Sequence, residues 1–414
     1  MSKWEEQKFG DLYLIPSRNG LTRPSSVRGA GYKFINMGEI FAYNRIGNIE
    51  TELVQLNEKE KEEMTLQKND LLFARQSLVF TGAGKCSIML DLEDVVSFES
   101  HIIRVRLNPE IANPVFFYYY FSLPYNSVKT IVQQCAQAGI RGSDLEKIKV
   151  PCPHIEIQNQ IADVLSAYDD LIDANNRRIE LLEQTAQELY KEWFVRFRFP
   201  GYENVQFEDG IPEGWSYVRF GKAIDIIDGD RGVNYPKQEE FYPEGDCLFL
   251  NAGNVTSKGF NFSACSYITK EKDSILRKGK LQHGDVVLTT RGTVGNVAFY
   301  NETMTFSEMR INSGMVILRN LGVVSPEYIY TSLHHEYLQK LMTMYASGSA
   351  QPQLPIKDMK RMKIIKPDAK TMERFTEMSA DIYNQISLLI MKNQTLAKQR
   401  DMLLPRLMNG KLEV

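Results

Sequence analysis

Four ordered blocks of this chain return roughly 214 residues further on, so the fold has to be assembled from two similar halves. Trp4-x-x-x-Lys8-Phe9-Gly10 returns as Trp215-x-x-x-Arg219-Phe220-Gly221, and the seven residues from Phe34 to Ile40 return as Phe249 to Val255. Leu66-Gln67-Lys68-Asn69-Asp70 returns as Leu281-Gln282-His283-Gly284-Asp285, and Asp144 to Pro153 returns as Asp358 to Pro367. Two similar halves imply two similar tasks.

Between the blocks, short apolar runs broken by Gly, Asn, Ser and Pro read as strands: Tyr32 to Ile35, Leu71 to Phe73, Cys86 to Leu90 and Ile102 to Leu107. Proline at a first helical position predicts helices after Asn113-Pro114 and, in the repeat, after Ser325-Pro326. From Glu156 to Phe197 the texture changes. Glycine and proline vanish, and Ile161, Leu165, Tyr168, Ile172, Asn175, Ile179, Leu182, Ala186, Leu189 and Trp193 fall on one heptad seam. A second seam runs through Phe375, Ser379, Ile382, Ile386, Leu389, Asn393, Leu396, Arg400, Leu403 and Leu407. The resulting division is a first lobe at 1–153, a long helix at 154–200, a linker at 201–214, a second lobe at 215–367, and a second long helix with tail at 368–414.

Each seam carries one asparagine, a residue that costs stability among apolar layers and fixes register. Placing Asn175 against Asn393 in an antiparallel pair sets Ile172 opposite Leu396, Ile179 opposite Leu389, Leu182 opposite Ile386, Leu165 opposite Leu403 and Trp193 opposite Phe375. Tyr168 with Arg400, and Leu189 with Ser379, are the weak layers. The expected architecture is α+β: two mixed α/β lobes separated by an antiparallel two-helix coiled coil about 50 Å long, related by an internal pseudo-twofold repeat.

Across 414 residues, 43% hydrophobic and 24% charged side chains describe an ordinary globular protein. No signal peptide or membrane-spanning run is evident, so a cytoplasmic protein without membrane contact is expected. Five cysteines without C-x-x-C spacing argue against a disulfide framework or a zinc site and predict buried, reduced thiols. A net charge of −3 gives no global basic signal, so any contact with nucleic acid has to be local.

A ruler with a head at each end suits a split site on double-stranded DNA. The best reader in each lobe is the loop after the Leu-Gln-x-x-Asp strand: Arg75, Gln76, Ser77 and Lys85 in the first, Thr290, Arg291, Thr293 and Asn296 in the second. Arginine bonds guanine edges, glutamine and asparagine bond adenine, and glycine admits phosphate. A second candidate segment carries Arg141 in the first lobe and Gln351 at the matching place in the second; it either lines the same cleft or forms the turn into the last strand. Other motifs fail. Gly82-Ala83-Gly84-Lys85-Cys86 lacks the first glycine and the terminal hydroxyl of a phosphate loop. Asn113-Pro114-Val115-Phe116 lacks the second proline of an amino-methyltransferase motif, and His334-His335 has no further metal ligand nearby. No catalytic set or cofactor loop stands out.

These blocks together resemble the specificity subunit of type I restriction-modification systems. The resemblance rests on Ile211-Pro212-Glu213-Gly214-Trp215, the Asn-x-Gly blocks, Thr290-Arg291-Gly292-Thr293-Val294-Gly295-Asn296, Ile364-Ile365-Lys366-Pro367 and Leu403-Leu404-Pro405-Arg406-Leu407, and it covers the full chain. It implies two target recognition domains, each reading half of an asymmetric bipartite sequence. It also implies a subunit without catalysis or cofactor of its own, docked to two methyltransferase subunits that carry S-adenosylmethionine, with two restriction subunits able to join. The first lobe departs from the pattern, with Arg75-Gln76-Ser77 in place of Arg-Gly-Thr. The outer helix faces, including Tyr190, Phe194, Met391, Met402 and Leu404, are candidate partner surface. Two other classes stay open: a coiled-coil adaptor with two protein-binding lobes, and a self-sufficient DNA methyltransferase.

Overall fold

The computed structural model describes residues 4–134, 138–306, 308–348 and 352–412. The chain packs as two units, Met1–Asp170 with Ala397–Val414, and Leu171–Leu396, so the division falls inside both long helices.

In the first unit a five-stranded sheet runs in the order Tyr13–Asn19, Ile102–Leu107, Leu71–Ala74, Cys86–Met89, Arg45–Ile46. Its middle strand, Leu71–Ala74, is apolar throughout because both faces are covered. Leu71 and Phe73 enter one core cluster with Phe9 and Phe116, while Leu72 and Ala74 enter another with Ile40 and Phe98. A second sheet orders Glu52–Val54, Arg28–Ile35 and Val96–Phe98, the last pair parallel. The helix Pro114–Ser122 starts where the Asn113 side chain accepts from the Val115 and Phe116 amides at 2.8 and 3.2 Å. Its Phe121 packs edge-on against Phe9 and Phe73.

The second unit repeats this plan. Its main sheet orders Ile224–Asp228, Met315–Asn320, Asp285–Thr289 and Val297–Tyr300, and a smaller one orders Tyr267–Ile268, Cys247–Leu250 and Met309–Ile311, again with one parallel pair. The helix Pro326–His334 is capped by Ser325. In each lobe the opening strand pairs with the strand before the long helix: Glu6–Lys8 with Lys149–Pro151, and Ser216–Arg219 with Lys363–Lys366. The glycine that follows is required by close approach. A Cβ on Gly10 would lie 3.0 Å from Glu146, and one on Gly221 would lie 2.7 Å from Lys360. The expected linker holds a short hairpin, Phe207–Glu208 with Ile211–Pro212, and Ile211 is buried with Trp215. Trp215 Nε1 donates to Asp368 Oδ2 at 3.0 Å, tying the lobe's first residues to the foot of the second long helix.

The long helices are Ile155–Tyr190, continued by a π-helical turn Lys191–Val195, and Ala369–Met408. Within the second unit Asn175 Nδ2 donates to Asn393 Oδ1 at 2.7 Å, and Asn393 Nδ2 donates to Asn176 Oδ1 at 2.9 Å. Further along, Arg178 bonds Gln385 and Trp193 meets Phe375 at 6.0 Å, so numbers rise on one helix as they fall on the other. The pair is antiparallel there. Ile179 and Ile386 are buried in the lobe's core, with Leu182 and Leu389 against it, while Ile172 and Leu396 are half-buried.

Within the first unit, Ile161 and Leu165 share a core cluster with Leu404, Leu407 and Met408. Arg400 pairs with Asp169, whose other oxygen accepts from Tyr119 Oη at 2.6 Å. The layer expected to set Tyr168 against Arg400 is therefore completed by the neighbouring carboxylate. Ser379, the other weak layer, is buried and returns its hydroxyl to Phe375 O at 2.7 Å.

Tyr190 and Phe194, expected on an outer face, are core residues. Both pack on Tyr328 of the helix Pro326–His334 and on Phe375, because the lobe folds back over that side of the first helix. Leu404 is likewise buried, Met391 half-buried and Met402 exposed. Of the cysteines, Cys86 and Cys247 are buried and Cys152 and Cys265 half-buried, all as free thiols; Cys135 lies outside the described residues.

Two stability predictions follow from the helix pair. Asn393→Leu leaves the buried Asn175 amide without that bond and costs about 1–3 kcal/mol in urea unfolding, whereas leucine at both positions recovers the loss and loosens register. Glu183 lies among Glu180, Lys258, Tyr330 and Tyr383, and burial, then Glu180, push its carboxyl up to about 7 while Lys258 pulls the other way. The folded chain thus holds this proton more tightly than the unfolded one. Its contribution to stability is complete below the ordinary carboxylate range and is lost as pH rises towards 7. Glu183→Gln should exceed the unsubstituted protein by about 1–2 kcal/mol at pH 8 and match it at pH 4, measured by denaturant midpoints.

Candidate nucleic-acid interface

In both lobes the Leu-Gln-x-x-Asp block is a lock beneath a loop. Asp70 is wholly buried and accepts from the Gln67 amide at 2.8 Å and from Arg106 Nε and Nη2, both at 2.7 Å. Asp285 accepts from the Gln282 amide at 2.7 Å and from Arg319 Nε and Nη2 at 2.8 and 2.7 Å. A carboxylate this deep needs a partner, and the two-pronged guanidinium supplies it while clamping the neighbouring strand. The strand that starts at each aspartate ends in the candidate reading loop.

The two candidate segments of each lobe come together. In the first lobe Gln76–Ser77 pairs antiparallel with Ala138–Gly139, and the Ile140 amide donates to Arg75 O at 2.9 Å. In the second, Arg291 bridges to Gln353, and the Leu354 amide donates to Thr290 O at 2.9 Å. One backbone construction thus underlies both loops.

Its side chains divide into builders and free groups. Thr290 is buried with its hydroxyl on Gly314 O at 3.1 Å, and Asn296 donates to Val255 O at 3.0 Å; both hold the loop in shape. Thr289, the first residue of the expected loop, belongs with them, since its hydroxyl donates to Thr293 O at 2.6 Å and accepts from the Asn296 amide at 3.0 Å. Gly292 takes a φ of +72° with open space around it, which admits another backbone or a phosphate. Thr293 is exposed. Arg291 is half-buried, and its Nε has no hydrogen-bond partner among the described residues.

In the first lobe Arg75 donates weakly to Ser100 O at 3.4 Å, Ser77 Oγ accepts from the Val79 amide at 3.2 Å, and Gln76 is half-buried. Lys85 turns inward, with its ammonium on Phe41 O at 3.0 Å and over the Phe41 ring. Burial lowers its pKa below the usual lysine value, as it does for Lys129, which donates to Thr81 O at 3.0 Å. Arg141 is exposed, and its carbonyl opens the short helix Gly142–Leu145. Gln351 lies outside the described residues. Leu78, Val79 and Phe80 lie within the reader loop expected from the sequence, with no contact role expected of them; they form its exposed tip.

No group of His, Cys, Asp and Glu among the described residues is placed to hold a metal ion. His334 is turned onto its own helix, Nδ1 to Tyr330 O at 3.0 Å. No helix among the described residues is long and apolar enough to cross a membrane.

A lock and loop are built in both lobes, and comparison with known proteins gives the family. The type I restriction modification DNA specificity domain matches residues 1–184 and again 212–395, so this chain belongs to that family. The type I restriction enzyme MjaVIII specificity subunit of Methanocaldococcus jannaschii is 24% identical over 99% of this chain and 93% of its own length. The MjaIX specificity subunit of the same organism is 28% identical over 66% of this chain, a match spanning 63% of that relative. The HindI specificity subunit of Haemophilus influenzae is 23% identical over the full length of both. Among solved structures, the type I S subunit from M. genitalium shares the fold with a TM-score of 0.55 at 14% identity, covering 98% of this chain and 96% of that one. The chain is a DNA specificity subunit of a type I restriction-modification system, a non-catalytic subunit.

The Asp–Arg lock generates a test. Asp285→Asn leaves Arg319 facing a neutral amide and should cost about 3–5 kcal/mol, lowering the urea midpoint of unfolding; a loss below 1 kcal/mol would show that the lock is not needed.

Proposed function

We propose that each lobe reads one half of an asymmetric bipartite DNA site, that the helix pair sets the gap between the halves, and that the chain docks two methyltransferase subunits. One observation carries the reading: the Ile140–Arg75 and Leu354–Thr290 hydrogen bonds build the same loop seat in both lobes beneath different side chains. Arg75, Gln76, Ser77 and Arg141 face one half-site; Arg291 and Thr293 face the other. Thr290, Asn296 and Lys85 act by shaping the loops. The methyltransferase partners bring S-adenosylmethionine and the methylation chemistry, restriction subunits can join them to cleave, and the complex works on cytoplasmic DNA. The near-neutral charge of this chain suits such sharing, because phosphate contacts can be spread over the partners.

The test is an exchange of residues 1–153 for those of a relative, expressed with the methyltransferase, followed by sequencing of methylated adenines. One half of the methylated sequence should change while the other half and the gap stay. A change in both halves, or in neither, overturns the reading.

A further inference from the structure

The first lobe carries a feature that its repeat lacks. Leu78, Val79 and Phe80 are 87%, 60% and 43% exposed at the tip of the loop that follows Gln76-Ser77. Leucine and phenylalanine are ordinarily withdrawn from water, and here three consecutive apolar side chains stand out together. The matching stretch of the second lobe reads Thr293-Val294-Gly295, in which Thr293 is exposed and the single large apolar residue, Val294, is half-buried.

The tip is braced. Lys129 donates to Thr81 O at 3.0 Å and Ala83 O at 3.4 Å, and Ala74 exchanges hydrogen bonds with Lys85 and Gly84 at 2.9 and 2.8 Å across the loop's base. A Cβ on Gly82 would come within 3.1 Å of the Phe41 ring, so that half-exposed ring lies against the same loop and extends the apolar surface. Lys129 flanks it, and Arg75 stands at its root. A fixed apolar point with cations at its base has the make-up of a wedge that enters a base step while the charges rest near phosphates.

We propose that Leu78 and Phe80 form such a wedge, inserted between two base pairs of the half-site that the first lobe reads, and that they add discrimination for an easily unstacked step there. The proposal rests on the half-site reading given above. Its occupant is double-stranded DNA, chosen by the flanking cations and by the tip's continuity with Gln76-Ser77.

The experiment uses the full chain assembled with its methyltransferase and duplexes carrying the mapped methylation site, with 2-aminopurine placed in turn at each step of the first half-site. One position should brighten severalfold on binding. Leu78→Ala with Phe80→Ala should abolish that rise and weaken binding at least tenfold, leaving the dependence of affinity on salt unchanged, since no phosphate contact is lost. Leu78→Met should retain both properties. Both alanines replace exposed side chains, so an unaltered thermal melt checks that the lobe is intact. The proposal is overturned if no position brightens with the unsubstituted protein. It is equally overturned if the double variant keeps the rise, or if the variant loosens the methyltransferase instead of the DNA, which would make the tip a protein contact. Lobe exchange separates the two ideas: an unchanged methylated sequence defeats the half-site reading, whereas a changed half without unstacking defeats only the wedge.

Discussion

A carboxylate placed where water cannot reach must be paired, and this chain places one at the root of each candidate reading loop. Asp70 and Asp285 are held by a turn amide on one side and by both prongs of an arginine on the other. The arginines stand on the next strand of the sheet, so the pair fixes where the strand begins and how it lies against its neighbour. Every position downstream inherits that registration, including the strand's far end. A loop seated this way can vary its side chains without moving its backbone, which is what a reader of changing sequences requires.

The helix pair obeys a related logic. An asparagine among apolar layers gives up stability unless it meets its own kind, and the Asn175–Asn393 bond meets that condition in one register only. A slip by one heptad would part the two amides and set Asn175 against Ile386 or Arg400 instead. Arg400 and Asp169 do the same for the layers held by the first unit, where the carboxylate also takes the Tyr119 hydroxyl. Polar groups set the alignment and the apolar residues supply the attraction.

Much of this was legible in the sequence because it was written twice. The lobe plan, the helices that begin at Asn113 and Ser325, and the seam carrying Asn175 and Asn393 all rest on spacing, and spacing survives divergence. What the sequence concealed depends on what folds over what. Tyr190 and Phe194 look outward on a helical wheel, yet they are core because a distant helix covers them. Asp169 is adjacent to the seam rather than on it, and only its two partners show why it is buried. Within the loops, residue type suggested contact chemistry for Thr290, Asn296 and Lys85, whereas each is engaged with its own lobe. A hydroxyl or ammonium next to a carbonyl is indistinguishable in sequence from one facing solvent.

The two loops also show how a duplication becomes asymmetric. Beneath them the chain keeps the same hydrogen bond, from Ile140 to Arg75 and from Leu354 to Thr290. Above that bond the second lobe keeps a glycine at positive φ, close to an arginine and small hydroxyl residues, which favours polar and backbone contacts. The first lobe has exchanged the glycine for Ser77 and gained an apolar tip. Such a tip cannot be an answer to folding, because it withdraws nothing from water; it adds an exposed cost that only a ligand can remove. On the proposed reading of the two loops, this tip gives the first lobe a recognition surface whose chemistry differs from that of its twin, as an asymmetric site would need.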